Sequence, residues 1–137
     1  MGAALILVGL LSGASQTGSL DLGFDKVRST RGVLRICLTS DPRNFPSCKD
    51  DARAITRTVP ASERSVHFDD LPYGSYAIAV IHDENRNKKL DTFVGIPKEG
   101  FGFSRNPPTF GPPKFTAAAF EIGAKAAVQR INLRYLL

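Results

Sequence analysis

The chain has 137 residues, of which 42% are hydrophobic and 23% charged, with a formal net charge of +5 and a pI near 9.5. That balance excludes a disordered chain and sets the expectation of a single domain with a real core. The basic residues are scattered, without the clustered patch and interleaved aromatics of a nucleic-acid binder, so no nucleic-acid partner is expected.

Residues 1–14 open with the apolar run GAALILVGLL and close on small residues, SGA, followed by Ser15. This is the length and pattern of a signal peptide with cleavage near Ala14, although the usual leading Lys or Arg is absent. The run is too short for a stable bilayer-spanning helix, and no later segment could cross a membrane as a helix. A periplasmic or secreted location is therefore expected. Residues 15–30, SQTGSLDLGFDKVRST, are polar and Gly/Ser-bearing without a sustained period. They are expected to be a linker or irregular lead-in, with a single domain spanning 31–137.

GVLRICLT alternates, with Leu34, Ile36 and Leu38 on one face and Val33, Arg35 and Cys37 on the other, which predicts a first strand. Cys37 and Cys48 are the only cysteines; in an exported chain the pair is expected to form a disulfide contributing roughly 2 to 3 kcal/mol. Residues 40–63 read as a long connection holding a short strand near Ile55–Val59. Ser65–Asp69 alternates before a Pro72/Gly74 turn. Ser75–Ile81 follows with both faces apolar, which predicts a central strand. Phe115–Ile122 and Ala127–Tyr135 read as two further strands joined by a hairpin turn at 123–126. Short strands without helices between them predict an all-β, small antiparallel two-sheet sandwich, prealbumin-like or Ig-like, with a long Gly/Pro/Phe-rich loop.

Immediately after the central strand comes HDENRNKKLD. Asp83, Asn85, Asn87 and Asp91 carry side-chain oxygens at the spacing of a calcium loop, and Lys89 completes the candidate set within the turn. Glu99 could fold back to replace the missing final carboxylate. Lys88 stands where such loops carry Gly, at a cost of roughly 1 kcal/mol if its backbone is left-handed. Any calcium would be held weakly, in a range of about 0.1 to 1 mM. The competing reading is an Asp/Asn turn that caps its own backbone amides without metal.

The segment FVGIPKEGFGFSRNPPTFGPPKF holds five of the nine phenylalanines. One reading is a surface on which Phe101, Phe103 and Phe110, beside Arg105 and Asn106, meet an envelope protein or glycan; the other is a plug in which the rings pack on the protein itself. His67 and His82, the only histidines, could act as general bases, but no catalytic set is found: no local motif marks an activated nucleophile.

The run YGSYAIAVIHDENRNKKLDTFVGIPKEGFGFSRN, continuing through GPPKF, resembles the bacterial exported family called domain of unknown function 2141, with the likeness running from about Gly32 to Tyr135. The LPYGSY turn is similar to strand junctions of prealbumin-like and collagen-adhesin-repeat sandwiches. The resemblance implies an exported sandwich and supplies no activity. The sequence thus points to a non-enzymatic structural or binding module at the bacterial envelope, with a periplasmic ligand-binding or hydrolytic protein using the Phe-rich loop and His82 as the alternative.

Overall fold

The computed structural model describes residues 2, 16–49, 51–88, 92–93, 96–108 and 111–137. The segment expected to be a signal peptide, Gly2 apart, lies outside the described residues, as do Lys89, Asp91 and Phe110 of the candidate sites.

In chain order the strands are β1 (Thr17–Asp25), β2 (Val33–Thr39), β3 (Ile55–Pro60), β4 (Ser65–Pro72), β5 (Gly74–Asp83), β6 (Thr92–Phe93), β7 (Ile96–Pro97), β8 (Gly100–Phe103), β9 (Phe120–Ile122) and β10 (Ala127–Asn132). A 3-10 turn at Pro42–Asn44 and one helical turn, α1 (Phe115–Ala118), complete the described elements. One sheet has the order β10-β1-β4 and the other β3-β2-β5-β8, with β9 alongside the start of β5; β6 and β7 form a separate hairpin. All of these pairings are antiparallel except β1–β10, which is parallel. The chain is therefore an all-β two-sheet sandwich. Among the described residues no helix is long and apolar enough to cross a membrane.

Period-two alternation builds the core. Leu34, Ile36 and Leu38 of β2 and Tyr76, Ile78 and Val80 of β5 face Leu20, Leu22 and Phe24 of β1, Phe68 and Leu71 of β4, and Ile131. Each large side chain removed from water here contributes about 1.5 to 3 kcal/mol before entropy is counted. On the opposite face of β5, Ala77 and Ala79 are buried as well, as a central strand requires.

Two expectations are corrected. The lead-in expected over 15–30 contains a nine-residue strand, Thr17–Asp25, at the centre of its sheet. Its apolar residues alternate only from Leu20 to Phe24, and Gly18 and Gly23, poor strand formers, hide the pattern. The expected hairpin at 123–126 does not pair its flanking strands: β9 joins β5, whereas β10 joins β1 in the other sheet. Within Phe115–Ile122, the alanine-rich first half takes a helical turn, in line with the intrinsic preference of alanine.

Side chains cover two sheet edges. Arg57, on the core-facing side of β3 with Ile36, stacks its guanidinium 4.1 Å from the Phe68 ring centroid and donates to the His67 carbonyl of β4 at 2.9 Å. On the outer edge of β10, the Asn106 amide acts like a peptide group of a neighbouring strand. It donates to the Arg130 carbonyl and accepts from the Asn132 N–H, both at 2.9 Å. Paired backbone bonds between Phe101 and Arg134 then tie the end of this sheet to β8.

Candidate functional site

β5 delivers two buried polar side chains to one end of the sandwich, His82 toward the core and Asp83 toward the outer face. The His82 Nε2 lies 2.8 Å from the Arg31 carbonyl, which can only accept, so this nitrogen carries the proton. Its Nδ1 lies 2.7 Å from the Tyr135 hydroxyl, which accepts from the Arg28 N–H at 3.1 Å. Both ring nitrogens are thus committed within the fold. Burial pushes the Tyr135 hydroxyl above its ordinary pKa. The Tyr135 ring passes over Gly100, where a Cβ would collide with it, and the Arg28 guanidinium covers it 4.4 Å from its centroid.

Asp83 organises the turn that follows. One carboxylate oxygen accepts from Arg35 Nε and from the Lys88 N–H, both at 2.8 Å; the other accepts from the Asn87 N–H at 3.1 Å. Burial raises the pKa of this group, but the Arg35 guanidinium and the two amides outweigh it, so the carboxyl titrates below its ordinary value. Glu84 gathers the loop before β2: Arg28, Ser29 Oγ at 2.9 Å and Arg31 at 3.0 Å all donate to it. Burial raises its pKa, and the Arg28 and Ser29 bonds overcome that to lower it. Gly32, at φ +73°, permits this approach, because a Cβ there would strike the Asp83 carbonyl oxygen.

Of the candidate calcium ligands, the structure brings Asp83, Asn85 and Asn87 into one tight turn, where Asn85 Oδ1 also accepts from the Asn87 N–H at 3.2 Å. Lys88 holds left-handed backbone, φ 63°, and Arg86 does so too, at φ 58°. Glu99 is buried ahead of β8. Among the described residues no group of three or more His, Cys, Asp or Glu side chains is placed to hold a metal ion.

Phe101 and Phe103, on β8 opposite Ile81 and Ala79, carry their rings on the outer face of the larger sheet. Phe101 is buried and packs 6.0 Å from the half-buried Phe103, which meets Phe45 at 6.0 Å; Phe45 in turn meets Phe115 at 6.1 Å. Phe45 is held there by a loop closed by the Cys37–Cys48 disulfide, whose Cα atoms are 5.8 Å apart. Arg105 and Asn106 turn away toward β10: the Arg105 N–H donates to Gln129 Oε1 at 3.1 Å, and Asn106 covers the β10 edge.

Sequence reasoning missed Phe45, Arg28, Glu84, Arg57 and Tyr135. A phenylalanine inside a disulfide loop was a usable signal for Phe45. The others meet partners far along the chain, and no local pattern marks them. His67 is exposed on the outer face of β4, with Asp21 at 2.7 Å from Nδ1 and Asp69 at 2.8 Å from Nε2. The two carboxylate hydrogen bonds raise its pKa above the ordinary 6.5.

These features define a disulfide-bonded all-β sandwich with His82, Asp83 and Glu99 buried. Residues 23–130 match the family described as "Uncharacterized protein conserved in bacteria (DUF2141)", and the chain belongs to that family. No curated protein and no solved structure matches it.

Proposed function

We propose that the protein is a non-enzymatic, exported sandwich acting as a structural or binding module at the bacterial envelope. The observation that carries this reading is the commitment of the buried ionisable groups His82 and Asp83. His82 has both ring nitrogens bonded within the fold, and Asp83 spends both oxygens on Arg35 and two turn amides. A general acid or base has to reach a substrate proton, and these two groups face protein. His67 stands on an open sheet face between two carboxylates. Export is supported by the Cys37–Cys48 disulfide, a bond that persists in oxidising compartments. The half-buried rings of Phe45, Phe103 and Phe115 offer the module an apolar ledge toward a partner such as an envelope protein or glycan.

Cell fractionation combined with thiol alkylation tests the export half. The protein is expected in periplasmic or extracellular fractions with neither cysteine alkylated before reduction; recovery from the cytoplasm with both thiols alkylated overturns it. A hydrolase substrate panel tests the other half. Turnover by the wild type that disappears in a folded His82→Gln variant would establish an enzyme.

A further inference from the structure

We propose that the end of the sandwich formed by residues 26–32, 84–88, 98–99 and 133–137 docks onto an anionic phospholipid surface, a proposal that takes its biological setting from the envelope reading above. Topology assembles this end: β1, β5 and β10 finish here, and β2 and β8 begin here. Exposed Lys26, Arg28, Arg31, Arg86, Lys88 and Lys98 project from it. Among the described residues the nearby acids are paired or buried: Asp25 meets Arg130, and Glu84 meets Arg28 and Arg31. Asp83 and Glu99 are buried, and the Glu84 side chain is 10% exposed beneath Arg28 and Arg31. The adjoining loop at 61–64 exposes one residue of each sign, Glu63 and Arg64.

Two observations support this end as the docking face. Lys26, Arg86 and Lys88 all hold left-handed backbone, at φ 60°, 58° and 63°. Glycine would occupy such positions without strain, yet each keeps a long cationic side chain, which points to use of the charge. Leu136 and Leu137 are 44% and 51% exposed, side by side, and Arg28 donates to the Leu137 carbonyl at 2.7 Å. Basic side chains around two exposed leucines match a bilayer interface, where cations meet phosphates and apolar groups enter the acyl boundary. A single-stranded nucleic acid would instead call for open aromatic rings, and the ring at this end, Tyr135, lies under Arg28.

Co-sedimentation of the purified chain with vesicles tests the proposal. Binding is expected to phosphatidylcholine vesicles containing about one-third phosphatidylglycerol and not to phosphatidylcholine alone, and to weaken between about 0.1 M and about 0.5 M salt. The Arg86→Gly/Lys88→Gly double variant should bind roughly 25-fold more weakly, at about fivefold per charge removed, without a fall in thermal midpoint. Leu136→Ser/Leu137→Ser should weaken binding to the same vesicles. Equal binding to neutral vesicles, an unchanged glycine variant, or equally tight binding to a DNA duplex overturns the proposal. The assay is independent of compartment: a cytoplasmic protein that binds anionic vesicles sinks the envelope reading alone, and an exported protein that does not bind them sinks the docking alone.

Discussion

Replacing Asp83 by alanine removes a buried carboxylate that accepts one guanidinium and two amide hydrogen bonds, and the structure indicates how much of that loss can be recovered. The Asn87 amide keeps Asn85 Oδ1 at 3.2 Å, and the Arg35 side chain, 28% exposed, can rehydrate. Among the described residues the Lys88 amide has no such substitute. An unmet buried donor costs about 1 to 3 kcal/mol, and a lost bond to a charged group about 1.5 to 3 kcal/mol. The softened total is about 3 kcal/mol. Asp83→Asn keeps one oxygen for Arg35 and Lys88 and should lose about 1.5 kcal/mol, the charge assistance. Urea unfolding at neutral pH is the assay, with the midpoint falling and the slope unchanged. The folded-state pKa of Asp83 is depressed, so its contribution is present above the ordinary value of 3.8 and is lost as pH falls through the lower folded value. The gap between wild type and Asp83→Asn should therefore close in strong acid. An alanine variant within about 0.5 kcal/mol of wild type would refute the reasoning.

Asn106→Asp places a carboxylate oxygen against the Arg130 carbonyl and should destabilise by about 2 kcal/mol, with faster hydrogen exchange along β10; unchanged protection would show that the amide does not hold this edge. His67 has a raised folded pKa, so its contribution is complete below pH 6.5 and is lost as pH rises through the folded value. An NMR titration should place its midpoint above 6.5, falling in Asp21→Asn; a midpoint at or below 6.5 contradicts the bridged imidazolium. Melting in calcium and in chelator should give the same midpoint, because Arg35 and two amides already occupy Asp83. Saturation to a hundred times the dissociation constant would instead add about 2.7 kcal/mol, which would mean that Asp83 gives up Arg35.

The layer architecture was legible because β2 and β5 announce themselves. In β2 one face is apolar and the other carries Arg35, while β5 is apolar on both faces, and local alternation is a sufficient signal for each. β1 was not legible, since Gly18 and Gly23 dilute a pattern that needs β4 and β10 on either side to hold it. The 123–126 turn looked like a hairpin because strand pairing is decided by the core, where Ile131 finds β1 and Phe120 finds β5. At the site, Asp83 could be read as the centre of a turn from its spacing to Asn85 and Asn87. The Arg28, Glu84 and Tyr135 cluster could not, because its members are brought together only when β1, β5 and β10 end at the same place.

The parallel pairing of β1 with β10 also bears on when the protein can fold. Leu20 meets Ala127 across about a hundred intervening residues, so the smaller sheet stays incomplete until the last strand arrives. Closing so large a loop slows folding far more than it weakens the final state. A nascent chain of this kind keeps one edge of β1 unpaired until β10 has been made.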